Sequence, residues 1–299
     1  MWGGLVIFIS LVVSLLITRA LGFWPSNFSI QLLTLVLASA WLLIGGLLDD
    51  KLKFSPLQQI IWPILAVATI LIGGITVSFI TNPIGGVILI PSFLGLIISA
   101  LWLLGTIYTA KFLDGIDGLV SGLGVIGSVI LFIVSLTWDK PLALTSFASI
   151  GLAGAALGFW FWNKPPAKIF LGESGSTLIG FWLGALAVLS GAKIATALLI
   201  MALPIMDAAW VIIKRLADGR SPFKGDREHL HFQLIDKGLS SKQTIILIYC
   251  LALLFGSVAL WQQTIGKIIA LVVVLLIVIK VEQWARLNSS LARQARKRV

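Results

Sequence analysis

Apolar runs about as long as a bilayer is thick recur along this chain of 299 residues, each closed by a short polar stretch. A helix needs roughly 20 apolar residues to cross the hydrocarbon core, and in lipid every backbone N–H and C=O must be satisfied within the fold. Hydrophobic residues make up 59% of the chain and charged residues only 11%, whereas a soluble domain carries about half and about a quarter. No polar shell can cover that excess. The expected fold is an all-α, polytopic integral membrane protein of about ten transmembrane helices. The crossings are expected at about 2–18, 30–48, 57–79, 86–108, 119–137, 142–162, 175–190, 194–213, 244–261 and 265–282. A transmembrane domain over 1–282, with a polar loop at 214–243, precedes a basic tail at 283–299. The first crossing has no basic residue ahead of it and no small-residue cleavage site behind it, so it is expected to stay as an anchor. Cys250 is the only cysteine, which rules out an intramolecular disulfide.

Charge orients the bundle. Of 22 Lys and Arg, only Arg19, Lys140, Lys193 and Lys267 fall on the side opposite the termini when ten crossings are threaded. The positive-inside rule makes the other side cytoplasmic with both termini there, and the protein is expected in the inner (plasma) membrane. Of the 12 acids, only Asp139 lies away from that side. The tail from Arg286 to Arg298 suits anionic lipid headgroups, and nucleic acid is not expected as a partner.

Four polar clusters emerge on the cytoplasmic side. Leu48-Asp49-Asp50-Lys51 closes the second crossing, where two acids oppose the helix dipole. Lys51 and Lys53 are candidate counter-charges. Lys111-Phe112-Leu113-Asp114-Gly115-Ile116-Asp117-Gly118 follows the fourth crossing. If helical, it places both carboxylates on one face, where a divalent cation or a shared proton would relieve their repulsion; the alternative is a plain Asp- and Gly-rich turn. Phe170-Leu171-Gly172-Glu173-Ser174-Gly175-Ser176-Thr177 precedes the seventh crossing with small residues that fit either phosphate binding or ordinary capping. Glu173 there is a candidate ligand for a hard cation. The polar loop holds the only two histidines, His229 and His231, beside Lys224, Asp226 and Arg227. Their spacing of two, with too few other His and Cys ligands, argues against zinc and suits an anionic substrate. Acids at membrane depth cost about 2.5–3.5 kcal/mol each near the bilayer centre on insertion scales, so they tend to be functional. A secondary transporter would place its polar site near the midplane, whereas these clusters sit at crossing ends.

In order, Leu-Asp-Asp, Phe-Leu-Asp-Gly-Ile-Asp-Gly-Leu, Ile-Phe-Leu-Gly-Glu-Ser-Gly-Ser-Thr-Leu-Ile-Gly-Phe, Pro-Ile-Met-Asp and Ser-Pro-Phe-Lys-Gly-Asp-Arg-Glu-His-Leu-His occur between Trp41 and Leu239. The ordered set resembles the polyprenyl-phosphate N-acetylhexosamine-1-phosphate transferases. Pro204-Ile205-Met206-Asp207 and Ser221-Pro222-Phe223 with Asp226-Arg227 look like the branch that carries N-acetylglucosamine 1-phosphate to undecaprenyl phosphate. The resemblance implies transfer of sugar 1-phosphate from a UDP-sugar to a membrane polyprenyl phosphate, with release of UMP and with Mg²⁺, or Mn²⁺ in its place, as cofactor. It leaves a homodimer open, and a non-catalytic homologue that binds lipid phosphate or UDP-sugar is the rival reading. Within it, Glu173 and Asp117 are expected to hold the metal. Asp49 would orient or deprotonate the lipid phosphate with support from Asp50, and Asp114 and Asp117 would bind the nucleotide end or a water held in the outer shell of the metal. His229 and His231 with Arg227 would meet the diphosphate or sugar, and Lys111, Asp226, Lys51 and Lys53 complete the expected substrate contacts. Three positions depart from the family pattern: Lys111 stands where asparagine is usual, Glu173 where aspartate is, and Phe232 at the third histidine position.

Overall fold

A computed structural model describes residues 2–23, 29–82, 86–138, 144–190, 194–220, 228–261, 265–277 and 279–280. Helices α1 (Gly3–Ala20), α2 (Ser29–Leu52), α3 (Pro56–Gln59) and α4 (Ile61–Ile72) are followed by strands β1 (Phe79–Thr81) and β2 (Val87–Leu89). Helices α5 (Ser92–Leu113), α6 (Leu119–Trp138), α7 (Leu144–Asn163), α8 (Gly172–Leu189), α9 (Ile194–Ile200), α10 (Ala202–Ala217), α11 (Leu230–Asp236) and α12 (Ser241–Trp261) complete the bundle with a shorter apolar helix, α13 (Ile265–Ile277). The loop residues Asp226 and Arg227, Asp139, and the basic tail lie outside the described residues.

The fold is all-α and polytopic, but the described helices do not reproduce ten uniform crossings. Seven are long and apolar enough to span a membrane, and the bent pair α9–α10 brings the number to eight. The segments expected at 57–79 and 265–282 are the shorter helices Pro56–Ile72 and Ile265–Ile277. The third crossing stops at Ile72 because Gly73 and Gly74 follow, the latter at φ +75°, a conformation that costs a glycine little. The chain then turns back as an antiparallel hairpin pairing Phe79 with Leu89 and Thr81 with Val87, so α5 starts only after Pro91. The eighth segment breaks at Met201 with a bend of 82°. Pro204, three residues on, has no N–H to offer the carbonyl of Ile200.

The core is built around α8, whose residues from Ser174 to Val188 are all buried. Small residues let its backbone be approached closely, the usual device where lipid offers no hydrophobic drive between helices. A Cβ at Gly180 would lie 2.4 Å from the Thr106 carbonyl oxygen of α5, and one at Gly46 of α2 would lie 2.3 Å from the Ser174 backbone nitrogen. The Trp102 indole N–H donates to the Gly184 carbonyl at 3.0 Å, which fixes α5 against α8. Large apolar side chains such as Leu101, Leu136, Phe161 and Leu254 point outward, as lipid-facing positions do.

Candidate active site

Four helix ends meet around one cavity of about 460 Å³ lined by Asp50, Lys111, Asp114, Asp117, Asn163 and Glu173, among others. The C-terminus of α2 brings the first pair of acids. Asp49 accepts hydrogen bonds from the Phe54 backbone N–H (2.9 Å) and from Gln59 Nε2 (3.0 Å), donors that offset the unfavourable helix dipole. Lys51 and Lys53 are exposed. Lys53 ends the helix in a left-handed conformation at φ 53°. Asp50 accepts from the Glu173 backbone N–H in the first turn of α8, and the Asp49 side chain lies within hydrogen-bonding reach of the Glu173 carboxylate. Gly46, without a side chain one turn before, is what lets these two helix ends meet.

Helix α5 contributes Lys111 in its last turn and stops at Leu113, so Asp114 is the C-cap and Asp117 lies in the turn beyond. The two acids do not share a helix face; the alternative reading of a turn is the one observed. A buried asparagine organises this turn. Asn163 Oδ1 accepts from the Gly118 backbone N–H (3.0 Å) and the Ser121 hydroxyl (2.8 Å), while its Nδ2 donates to the Ile169 carbonyl (3.1 Å). Gly118 adopts φ +81°, and its carbonyl accepts from the Tyr249 hydroxyl. Asp117 Oδ2 in turn accepts from the Ala167 N–H at 3.1 Å, tying the turn to the segment that leads into α8.

Lys111 crosses to the opposite wall. Its ammonium donates to Glu173 Oε1 at 2.6 Å and to Gln59 Oε1 at 2.8 Å. Asp114 is pushed up to about 7, first by burial and then by the negative charges of Asp117, Asp50 and Glu173.

The histidines sit beside this cavity on a buried acid. Asp207, 3% exposed in α10, holds His229 Nδ1 at 3.0 Å through one oxygen and accepts the Leu230 N–H at 2.9 Å through the other, so it also caps α11. His229 stacks on Phe112 and on His231. His231 is 1% exposed, and neither ring nitrogen has a hydrogen-bond partner among the described residues. Burial pushes its pKa down to about 3, so the ring is neutral at physiological pH. A Cβ on Gly115 would lie 2.7 Å from His231 Nε2, which places the ring against the Asp114–Asp117 turn. On the loop rim, Glu228 pairs with Arg220 (2.8 Å) and Lys214 (2.6 Å), Arg220 first in effect, and is held down at about 2.

These donors suit a hard divalent cation: they are carboxylate oxygens, and Asp114 is buried beside Asp117, Asp50 and Glu173, whose mutual repulsion such an ion would relieve. Glu173 is the exception, since its carboxylate is engaged by Lys111. Among the described residues, no three acids or histidines are gathered closely enough to form a ready ligand set.

The sequence pattern of glycosyl transferase family 4 matches residues 32–191, the stretch that carries every acid of the cavity. The chain belongs to glycosyl transferase family 4. A Bacillus subtilis (strain 168) member named "Probable undecaprenyl-phosphate N-acetylglucosaminyl 1-phosphate transferase" is 27% identical over 93% of this chain and 78% of its own length. A decaprenyl-phosphate N-acetylglucosaminephosphotransferase of Mycolicibacterium smegmatis is 32% identical over 83% of this chain and 68% of its own. An undecaprenyl-phosphate alpha-N-acetylglucosaminyl 1-phosphate transferase of Escherichia coli (strain K12) is 31% identical over 77% and 65%.

Within this family member, Asp49, Asp50, Lys111, Asp114, Asp117, Glu173, His229 and His231 are gathered at one end of the bundle. Lys51 and Lys53 stay on the exposed surface. Three contributors were not singled out individually in the sequence. Asp207 had a signal, the Pro204-Ile205-Met206-Asp207 motif, while Gln59 and Asn163 had none, being uncharged amides that belong to no acidic or basic cluster.

Proposed function

We propose that this glycosyltransferase moves N-acetylglucosamine 1-phosphate, or a related N-acetylhexosamine 1-phosphate, from a UDP-sugar to undecaprenyl phosphate. The site would face the cytoplasm from the inner membrane and start a cell-envelope glycan. In the transfer, an oxygen of the lipid phosphate forms a bond to the phosphorus that carries the sugar, and the bond from that phosphorus to the bridging oxygen breaks. UMP leaves with that oxygen, and the lipid keeps a diphosphate bearing the sugar. The observation that carries this reading is a cavity walled by Asp50, Asp114, Asp117, Glu173 and Lys111 at the ends of helices long and apolar enough to span a membrane. The positive-inside distribution supports the cytoplasmic side.

Two anionic phosphates must be brought together, so positioning and charge neutralisation dominate the chemistry. Lys111 meets the diphosphate as a fixed ammonium. Asp49, anchored by Gln59 and the Phe54 N–H, orients the lipid phosphate and accepts its proton when it arrives protonated, with Asp50 holding the α8 N-terminus in place. His229, set in one orientation by Asp207, contacts the sugar or the diphosphate together with Arg227. Asp117 and Asp114 would hold Mg²⁺, or Mn²⁺, which when bound neutralises phosphate charge.

The test is UMP release by purified protein in detergent with undecaprenyl phosphate and a panel of UDP-sugars. UMP release that depends on both substrates is expected, with UDP-N-acetylglucosamine among the best donors. In the same assay, Asp49→Asn and Asp117→Asn should each lower turnover by about 10²-fold with the fold intact. UDP-sugar binding without UMP release would replace the transferase reading with that of a binding homologue.

A further inference from the structure

The cavity has two unequal halves. On one wall, Asp114 and Asp117 form no ion pair with any described residue. On the other, Lys111 already serves Glu173. Both side chains of that pair are 18% exposed, and the separation of 2.6 Å is that of a charge-assisted hydrogen bond, so the Glu173 oxygen that Lys111 holds already has a cation on it. Gln59 locks the pair in place: its carbonyl accepts from Lys111 while its amide nitrogen donates to Asp49, the same Asp49 that reaches Glu173. Lys111, Gln59, Asp49 and Glu173 thus close a ring. Two of the three ammonium N–H donors are engaged by Gln59 and Glu173, and a third remains for an anion.

We propose that Lys111 is the resident cation of the Glu173 wall: its ammonium takes the place on Glu173 that a divalent ion would take, and any such ion binds on the Asp114–Asp117 side. The role given to the ion rests on the transferase reading above, whereas the ion-binding pattern can be measured without it. A tethered ammonium beside the cavity also repels a second cation, so removing it should open Glu173 as a ligand.

The experiment is Mn²⁺ binding followed by electron paramagnetic resonance on the purified, detergent-solubilised full chain without substrate. Wild type, Glu173→Gln, Lys111→Asn, Lys111→Met, Asp117→Asn and the Lys111→Asn/Glu173→Gln double variant are compared. Glu173→Gln alone should leave the Mn²⁺ Kd within about twofold, and Asp117→Asn should weaken it by about tenfold or more. Lys111→Asn and Lys111→Met should each tighten binding about tenfold, and adding Glu173→Gln should remove that gain. Two neutral replacements of different shape separate the loss of charge from a packing defect. Overlaid curves for wild type and both Lys111 variants overturn the proposal, as does a Glu173→Gln loss as large as that of Asp117→Asn, or no Mn²⁺ binding by any variant. If the expected pattern appears without UMP release under any condition, Lys111 stands and the transferase reading falls.

Discussion

Asp114 links the site to pH. It is an acid whose folded pKa, about 7, lies above its ordinary value near 3.8 because burial and then Asp117, Asp50 and Glu173 disfavour its charge. For a raised acid, the favourable state is the protonated one. The stability it contributes is fully present below pH 3.8 and is lost as pH rises through about 7. Asp114→Asn, neutral at every pH, should therefore raise Tm by roughly 2–4 °C at pH 8.5, with the difference from wild type closing as pH falls toward 4. Thermal melts in detergent across that range check it; parallel curves with no pH-dependent gap would mean that the charge of Asp114 is already compensated in the folded protein. Asp207 is the second residue on which the site depends, and its role is geometric. One carboxylate serves both the His229 ring and the Leu230 N–H. Asp207→Asn keeps the volume but cannot accept on both sides in the same way, and turnover should fall by about 10-fold or more with an altered pH profile. An unchanged profile would reduce Asp207 to a helix cap.

Helix α8 sets the distances between these groups. Its first turn is pressed against α2 where a Cβ on Gly46 would meet the Ser174 backbone at 2.3 Å, and backbone cannot swing aside as a flexible side chain can. The Asp49–Asp50 pair follows in the next turn, so a displacement there is felt at Glu173. Gly46→Ala should cost about 1–3 kcal/mol and lower UMP release. Gly154 of α7 is the control, because a Cβ there would meet nothing within 4 Å. Gly154→Ala should be neutral or stabilising by up to about 1 kcal/mol through backbone entropy. Melting temperatures and initial rates of the two variants decide the matter, and equal effects would mean that α2 and α8 are not held as closely as described.

At the scale of the whole molecule, the helix ends that line the cavity all emerge at one end of the bundle, while Arg19 closes α1 at the other. Sidedness is accessible because Cys250 is the only cysteine. In a Cys250→Ser background, Lys53→Cys should react with a membrane-impermeant maleimide only after cells are permeabilised, and Arg19→Cys should react from outside in intact cells. The reverse pattern would turn the site toward the exterior and exclude a cytoplasmic nucleotide donor.

Helix locations and the ordered acid motifs were legible in the sequence because both are local. A lipid-spanning run declares itself by length and hydropathy, and an acid in such surroundings is costly enough to stand out. The breaks were less legible: Gly73-Gly74 and Pro204 are visible as residues, but whether a run continues past them depends on what packs against it. The pairing of Lys111 with Glu173 and with Gln59, the Asn163 clamp on the Gly118 turn and the hold of Asp207 on His229 join positions 22 to 62 residues apart. No local pattern encodes those pairings. They arise from tertiary packing, of which the approach of α8 to α2 and α5 at backbone distance is the clearest case, and that packing decides which buried polar groups are left close enough to satisfy one another.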